Sequence, residues 1–209
     1  MDFKASWQRA CWRICSILVA AAACICFFLI GEYLSKSYAA NGYLSSPDAL
    51  YSGTVLPLAA ACLLLALGCA TSVPTVKYNK LFTAGFILGA ASAGVSVAGG
   101  VVDAAAQGLL SISGAFSLLA YLLLDICTVV MFLILTAYFG GRASHKAARW
   151  ASGILLLINL IYVLSVILYY ASGNAEDAGL LYPWSNLMAL ATMVLVFIAT
   201  AKRKVPTQA

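Results

Sequence analysis

Charged residues are scarce in this chain: Asp, Glu, Lys and Arg make up 9% of its 209 residues, whereas 64% are hydrophobic. Soluble domains carry about 25% charged and roughly 45–50% apolar residues, so the composition excludes a soluble globular protein. It also excludes a disordered chain, which requires low hydrophobicity and high charge. The net charge of +5 comes from residues scattered along the sequence. Without a clustered basic patch, a nucleic-acid partner is excluded as well.

The residues and motifs of known membrane enzymes are also missing. The chain has one histidine, His145, and no His-Glu-x-x-His, Gly-x-Ser-x-Gly or Walker A sequence. Its seven cysteines form no Cys-x-x-Cys motif, and none lies in a loop expected to face outside. We therefore predict no disulfide framework, no metal site, no cofactor and no catalytic residues. The cysteines are expected to pack as small apolar side chains between helices.

Long apolar runs, in contrast, are abundant and predict six transmembrane helices. A span needs about 20 mostly apolar residues. Such runs cover approximately residues 15–31, 54–73, 81–102, 113–139, 151–171 and 184–201. The segments between them contain the Gly, Pro, Asn, Ser and charged residues that are typical of water-exposed loops. The predicted fold is all-α: one integral membrane bundle of six helices in a lipid bilayer, formed by residues 1–209.

The segment before the first span allows two interpretations. Phe3, Trp7, Cys11 and Ile14 recur at helical spacing, with basic residues off that line. The pattern fits a short amphipathic helix lying on the membrane surface. It fits equally well the beginning of the first span itself, anchored by a tryptophan.

The basic residues predict the topology of the bundle. In the six-span arrangement, eleven of the twelve Lys and Arg residues fall on one side. Cytoplasmic loops are enriched in Lys and Arg, so that side is predicted to be cytoplasmic, together with both termini. Lys77, His145 and Lys202 would then face the cytoplasm, and Asp48 and Glu176 would lie outside. We expect the plasma (inner) membrane as the location.

The third span is unusually rich in small residues. Six of them fall within roughly a 100° arc of a helix with 3.6 residues per turn: Gly85, Gly89, Ser92, Ser96, Gly99 and Gly100. Small side chains let helix backbones approach closely inside lipid. Because alanines occupy most of the remaining surface, we predict a central helix that is contacted on several sides. A flexible, glycine-rich transport helix is the functional alternative.

Asp125 in the fourth span is the only carboxylate far from the predicted ends of a span. It lies about 18–21 Å from either end at 1.5 Å per residue. An aspartate at this depth costs about 2.5–3.5 kcal/mol on insertion scales, which makes it a candidate for function. Other polar residues follow the same helix face and the neighbouring face of the fifth span. The candidate residues for binding a solute or ion are Asp125, Tyr121, Thr128, Asn159 and Tyr162.

Two states of Asp125 are open at the level of sequence, because no span contains a Lys or Arg. A protonated acid would be hydrogen-bonded to Asn159, Tyr121 or Tyr162 and would only join the fourth and fifth spans. An ionised carboxylate would be balanced by a bound cation, a cationic solute or a basic residue of a partner subunit.

The leading functional hypothesis is a solute or ion transporter, or the membrane subunit of one, with a polar site near Asp125. In size and topology the chain resembles the substrate-binding subunits of energy-coupling-factor vitamin transporters. The alternative is a membrane scaffold, anchor or assembly subunit that binds partner proteins through its helices. A partner membrane subunit or a homo-oligomer is compatible with both. The two hypotheses differ in one structural expectation: transport requires a polar cavity at Asp125, and a scaffold requires dry, close packing there.

Overall fold

The computed structural model consists of six α-helices. They are α1 (Phe3–Asn41), α2 (Ser46–Thr71), α3 (Lys80–Gln107), α4 (Ile112–Phe139), α5 (His145–Ala171) and α6 (Leu181–Ala201). The structure describes residues 3–43, 45–71, 80–107, 112–172 and 180–201, except for the side chains of 3–6, 46–47, 103–107, 112–118 and 121. Within these ranges there is no β-strand, and all six helices are long and apolar enough to cross a membrane. The prediction of an all-helical fold with six helices that could each span a membrane is confirmed for the described residues.

Each helix contains the corresponding predicted span, apart from residues 72–73, which lie outside the described residues. The helices also begin where local hydrogen bonds cap them. Ahead of α2, the Asp48 backbone N–H donates to Ser45 Oγ, and the Ser45 N–H donates to Asp48 Oδ2, both at 3.3 Å. This reciprocal pair resembles a capping box, which satisfies backbone donors at a helix start. Ser144 caps α5 by accepting from the Ala147 N–H at 3.2 Å.

The first helix is continuous over 39 residues, which corresponds to a length of about 58 Å at 1.5 Å per residue. The segment before the first predicted span is therefore the beginning of the same helix, and not a separate helix on the membrane surface. Because the hydrocarbon core is about 30 Å thick, α1 extends beyond it even when strongly tilted.

Five of the helices form a ring. In the described part of the chain, each of α2 to α6 contacts the next, and α6 closes the ring by contacting α2. Helix α1 packs against the outside of α2 and α6. We call the end of the bundle where α1 begins and α6 ends the terminal end, and the opposite end the loop end. Successive helices run in opposite directions between these two ends. The start of α1 therefore meets the end of α2 at the terminal end, where Trp12 donates to the Cys69 carbonyl, and Tyr33 donates to Asp48 at the loop end.

The expectation that the third helix is central is wrong. Among the described residues, α3 contacts only α2 and α4, and its opposite side is exposed, with Ile87 at 52%. Its small residues serve these two contacts. A Cβ on Gly85 would lie 2.8 Å from the side chain of Leu65 on α2, and one on Gly89 would lie 2.8 Å from the Phe132 ring on α4. Small side chains are thus needed on one face of α3, where two neighbouring helices approach it.

Other small residues on this face of α3 also lie against either α2 or α4. A Cβ on Gly100 would come within 3.0 Å of Leu122 on α4. Ser92 is buried and donates a hydrogen bond of 2.7 Å to the Thr54 carbonyl of α2.

A cluster of four phenylalanines fills the terminal half of the ring between α3 and α4. It consists of Phe82, Phe86, Phe132 and Phe139, all of which are buried. The rings of Phe82 and Phe139 stack with their centroids 4.5 Å apart, and Phe86 lies 5.4 Å from Phe139. Leu135, Leu155 and Met193 complete this core from α4, α5 and α6. The terminal half of the ring is therefore closely packed by these described side chains.

Candidate functional site

A cavity of about 520 Å³ lies inside the ring. All five helices of the ring contribute to its wall, and none of its lining residues belongs to α1. Near the loop end the wall includes Tyr51 and Tyr182, which lie in the second turn of α2 and the first turn of α6. Gly89, Phe132 and Met193 line the deepest part, next to the phenylalanine cluster. The cavity therefore lies mainly in the loop half of the bundle, extends past the depth of Asp125 and ends at the phenylalanine cluster.

Asp125 lines this cavity from the middle of α4. It is residue 14 of the 28 in this helix, which places it roughly 20 Å from either helix end at 1.5 Å per residue. Ser96 Oγ on α3 donates to Asp125 Oδ2 at 2.6 Å, and the Tyr162 hydroxyl on α5 donates to Oδ1 at 2.6 Å. One carboxyl group thus connects three consecutive helices of the ring, and the polar group from α5 within reach is Tyr162.

The other candidate residues are distributed differently. Thr128 and Asn159 line the cavity, but each donates to a carbonyl of its own helix, Leu124 and Leu155 respectively, at 2.8 Å. Their local hydrogen bonds follow from the i to i−4 spacing, which a short polar side chain reaches easily. The Tyr121 side chain lies outside the described residues. The structure therefore brings Asp125, Thr128, Asn159 and Tyr162 to one cavity, and of the described candidates it joins Tyr162 directly to Asp125.

Reasoning from the sequence misses several polar residues of the cavity wall. Ser96 has the spacing of a helix-packing residue, yet its hydroxyl binds Asp125. Tyr51 and Tyr182 have the pattern of interfacial aromatic residues at span ends, and both line the cavity instead. The Tyr51 hydroxyl is buried beside Ser185 and makes no hydrogen bond of regular geometry in the part of the chain that the structure describes. One signal could have identified the two tyrosines, since each follows a leucine directly before an apolar run.

The cavity contains a carboxyl group without an opposite charge. Every described Lys and Arg side chain is exposed, and none lines the cavity. Among the described residues the one ion pair joins Lys36 and Glu32 on the surface of α1. No group of three His, Cys, Asp or Glu side chains that could hold a metal ion occurs in these ranges. The carboxyl group is thus presented among hydroxyls, amides and apolar side chains.

Comparison of the chain with protein-family models, curated proteins and solved structures finds no match. The chemistry of the cavity is consequently the basis for a functional proposal. Its wall combines one carboxyl group at mid-depth, hydroxyl and amide groups from each helix of the ring, and an apolar floor. Such a concave and mostly apolar surface with a few convergent polar groups is typical of small-molecule sites.

Proposed function

We propose that this protein is a transporter of a small solute or ion, or the membrane subunit of one, and that Asp125 binds the transported species. The observation that carries the proposal is the cavity at Asp125. An ionisable residue at mid-depth in a membrane helix is costly, and in membrane proteins such residues mark the pathways of substrates, ions or protons. Here the residue lines a cavity of about 520 Å³, within the roughly 300–1,000 Å³ of ordinary ligand sites.

The geometry is less compatible with a scaffold. A helical scaffold gains stability from close packing. A cavity inside its ring removes dispersion contacts, and in a scaffold no binding function compensates for that loss. Placing an aspartate at the centre of a membrane helix costs about 2.5–3.5 kcal/mol of insertion free energy, and a scaffold has no function that offsets this cost. Two hydrogen bonds to Asp125 compensate only part of this cost, because interhelical hydrogen bonds in membranes contribute on average about 0.6 kcal/mol. Selection for binding supplies a reason for both features.

The two halves of the ring differ as a transporter requires. The loop half contains the cavity, and the terminal half is filled by the phenylalanine cluster. A site that is reached from one side and closed on the other is one of the two states of alternating access. Movement of α3 against α4 would open the terminal half, since the stacked pair of Phe82 and Phe139 joins these two helices.

We further propose that the terminal end faces the cytoplasm, so that the cavity is on the outer half of the membrane. Most of the described basic residues, including Arg13, Lys80 and Arg149, lie on the terminal-end parts of their helices. Lys and Arg are enriched on the cytoplasmic side of membrane proteins. Lys77, Lys202 and Glu176, on which the topology prediction also rests, lie outside the described residues. A plasma-membrane location agrees with this orientation.

Transport can be tested with a mixture of solutes that covers the main chemical classes of cargo. The full chain is reconstituted into liposomes and incubated with a defined mixture of cations, amino acids, amines, sugars, vitamins and nucleosides. Mass spectrometry and elemental analysis then identify what accumulates inside. We expect at least one component to accumulate with the wild-type protein and to be lost with Asp125→Asn, because the amide preserves shape but cannot ionise.

The matched control is Glu32→Gln, which removes a carboxylate from the surface ion pair of α1. This variant should accumulate the same component as the wild-type protein. Accumulation that is equal in the Asp125→Asn variant would contradict transport through this site. Absence of accumulation by folded wild-type protein would contradict transport by this chain alone, and absence of both accumulation and Asp125-dependent binding would favour the scaffold.

A further inference from the structure

From the chemistry of the cavity wall we infer that its ligand is an organic ammonium ion that carries at least one N–H group and an apolar body. The inference rests on the proposed function and specifies the substrate class of the same site. Its ammonium group binds Asp125, and its apolar part lies among the side chains of the cavity floor and wall.

Charge is the first part of the argument. Among the described side chains the wall contains one carboxyl group, and no Lys or Arg lines it. An ionised carboxylate in a low-dielectric surrounding requires a nearby positive charge, and here the ligand supplies it. A carboxylate has about four acceptor positions. Ser96 and Tyr162 each occupy one, on different oxygens. Acceptor positions thus remain on both oxygens for the N–H groups of an ammonium ion.

Aromatic side chains are the second part. Tyr51, Tyr162 and Tyr182 line the cavity from α2, α5 and α6, so three helices each contribute a tyrosine to the wall that contains Asp125. Ammonium groups and the CH groups next to them are attracted to aromatic faces, and more strongly where the site is desolvated. An anionic or neutral ligand would gain nothing comparable.

Size and polarity distinguish an organic cation from an inorganic one. A dehydrated metal ion requires a compact shell of oxygen ligands, for example six to eight for Ca²⁺. Near Asp125, two neighbouring hydroxyl groups direct their hydrogens at the carboxylate. The remaining volume of the cavity is far larger than one ion and is bordered by Leu58, Leu122 and Phe132. An apolar body that fills this space releases water from these side chains.

The test is direct binding to the purified full chain in lipid nanodiscs, measured by calorimetry and by ligand-dependent thermal stabilisation. The cationic probes are methylamine, butylamine, 2-phenylethylamine and N-methyl-2-phenylethylamine. The neutral isostere of the third is 2-phenylethanol, 3-phenylpropionate is the anionic probe, and NaCl and KCl supply inorganic cations. We expect at least one of the larger amines to bind at least tenfold more tightly than methylamine and the isostere. Asp125→Asn should weaken it at least tenfold, and Glu32→Gln should leave it unchanged.

Because Asp125→Asn also alters the link between helices, a pair of variants tests the binding wall away from that link. Tyr51→Phe preserves the aromatic ring and removes the hydroxyl. Tyr51→Leu removes the ring and should weaken the amine more than Tyr51→Phe does. Equal binding by these two variants would overturn the aromatic contribution.

The outcomes distinguish this inference from the proposed function. Binding of no amine, or equal binding of 2-phenylethylamine and 2-phenylethanol, would overturn the substrate class. If the liposome assay nevertheless finds an anionic, neutral or inorganic solute that depends on Asp125, transport stands and the substrate class is wrong. If an amine binds in an Asp125-dependent way but is not moved across the liposome membrane, the substrate class stands, transport by this chain alone is wrong, and the protein is the binding subunit of a larger transporter.

Discussion

Replacement of Gly85 by alanine tests the packing of α3 most sharply. A Cβ at this position would lie 2.8 Å from Leu65 Cγ, 2.9 Å from its Cδ2 and 3.2 Å from the Ala61 carbonyl oxygen. Leu65 is fully buried in the core of the terminal half, and Cγ is the branch point of its side chain. Neither neighbour can give way without a movement of α2 against α3.

Gly94, nine residues further along the same helix, provides the matched control. A Cβ there has no heavy atom within 4 Å. Alanine is favoured over glycine in helix interiors by about 1 kcal/mol, so Gly94→Ala should be neutral or slightly stabilising. Gly85→Ala has the same helix preference but adds overpacking, which typically costs about 1–3 kcal/mol. The free energies of unfolding of the two variants should therefore differ by about 1–3 kcal/mol.

Equilibrium unfolding in mixed detergent micelles, with increasing dodecyl sulfate and a helix-sensitive signal, measures this difference. Both variants are compared with the wild-type protein under the same conditions. The close approach of α2 and α3 at Gly85 would be refuted if the two alanine variants were equally stable. Greater stability of Gly85→Ala than of Gly94→Ala would refute it as well.

Two further predictions concern the cavity and its surroundings. Asp125→Leu should lower the free energy of unfolding by about 1–3 kcal/mol, because two hydroxyl partners lose their acceptor; Asp125→Asn, which can still accept a hydrogen bond, should cost less, and an equal loss would contradict the link between helices. The second prediction uses a variant without the native cysteines and a charged, membrane-impermeant thiol reagent. Thr54→Cys in the cavity wall should react from one side of the membrane, and Arg142→Cys, at an exposed position, should react from the other. Leu135→Cys in the buried core should not react from either side. Labelling of positions 54 and 142 from the same side would contradict the proposed sidedness, and failure of position 54 to react would contradict an open cavity.

The sequence predicts the positions of the helices well because each apolar run is long and ends in polar residues, but it underestimates the length of α1. Residues 32–41 look like a loop, since Glu32, Lys36 and Ser37 are polar. Tertiary and local contacts extend the helix instead. Lys36 pairs with Glu32 at 2.6 Å one turn away, and Ser37 donates to Asp48 of α2 at 2.5 Å. Contacts with a second helix cannot be inferred from a hydropathy pattern.

The candidate site is only partly predictable for a similar reason. Asp125 stands out because an isolated acid in an apolar span is rare, and helical periodicity points to α5 as a neighbour. Periodicity does not decide between Asn159 and Tyr162. The shorter amide binds its own helix, and the longer phenol reaches across to Asp125. Ser96 is ambiguous because a serine is both small and a hydrogen-bond donor. The cavity itself depends on the rotation of five helices, which no single segment encodes.

The closed ring has a consequence for the order in which the protein is made. Tyr162 follows Asp125 by 37 residues, so at a synthesis rate of about 5–20 residues per second it emerges roughly 2–7 s later. Ser96, in contrast, precedes Asp125 by 29 residues and is already present when the acid is inserted. On the outside of the ring, Ala22 of α1 accepts a hydrogen bond from Trp184, 162 residues later, which corresponds to a delay of roughly 8–32 s. Until Trp184 emerges the ring lacks α6, and in the shorter interval between Asp125 and Tyr162 the nascent chain presents its carboxyl group to lipid or to the insertion machinery with α3 as its partner.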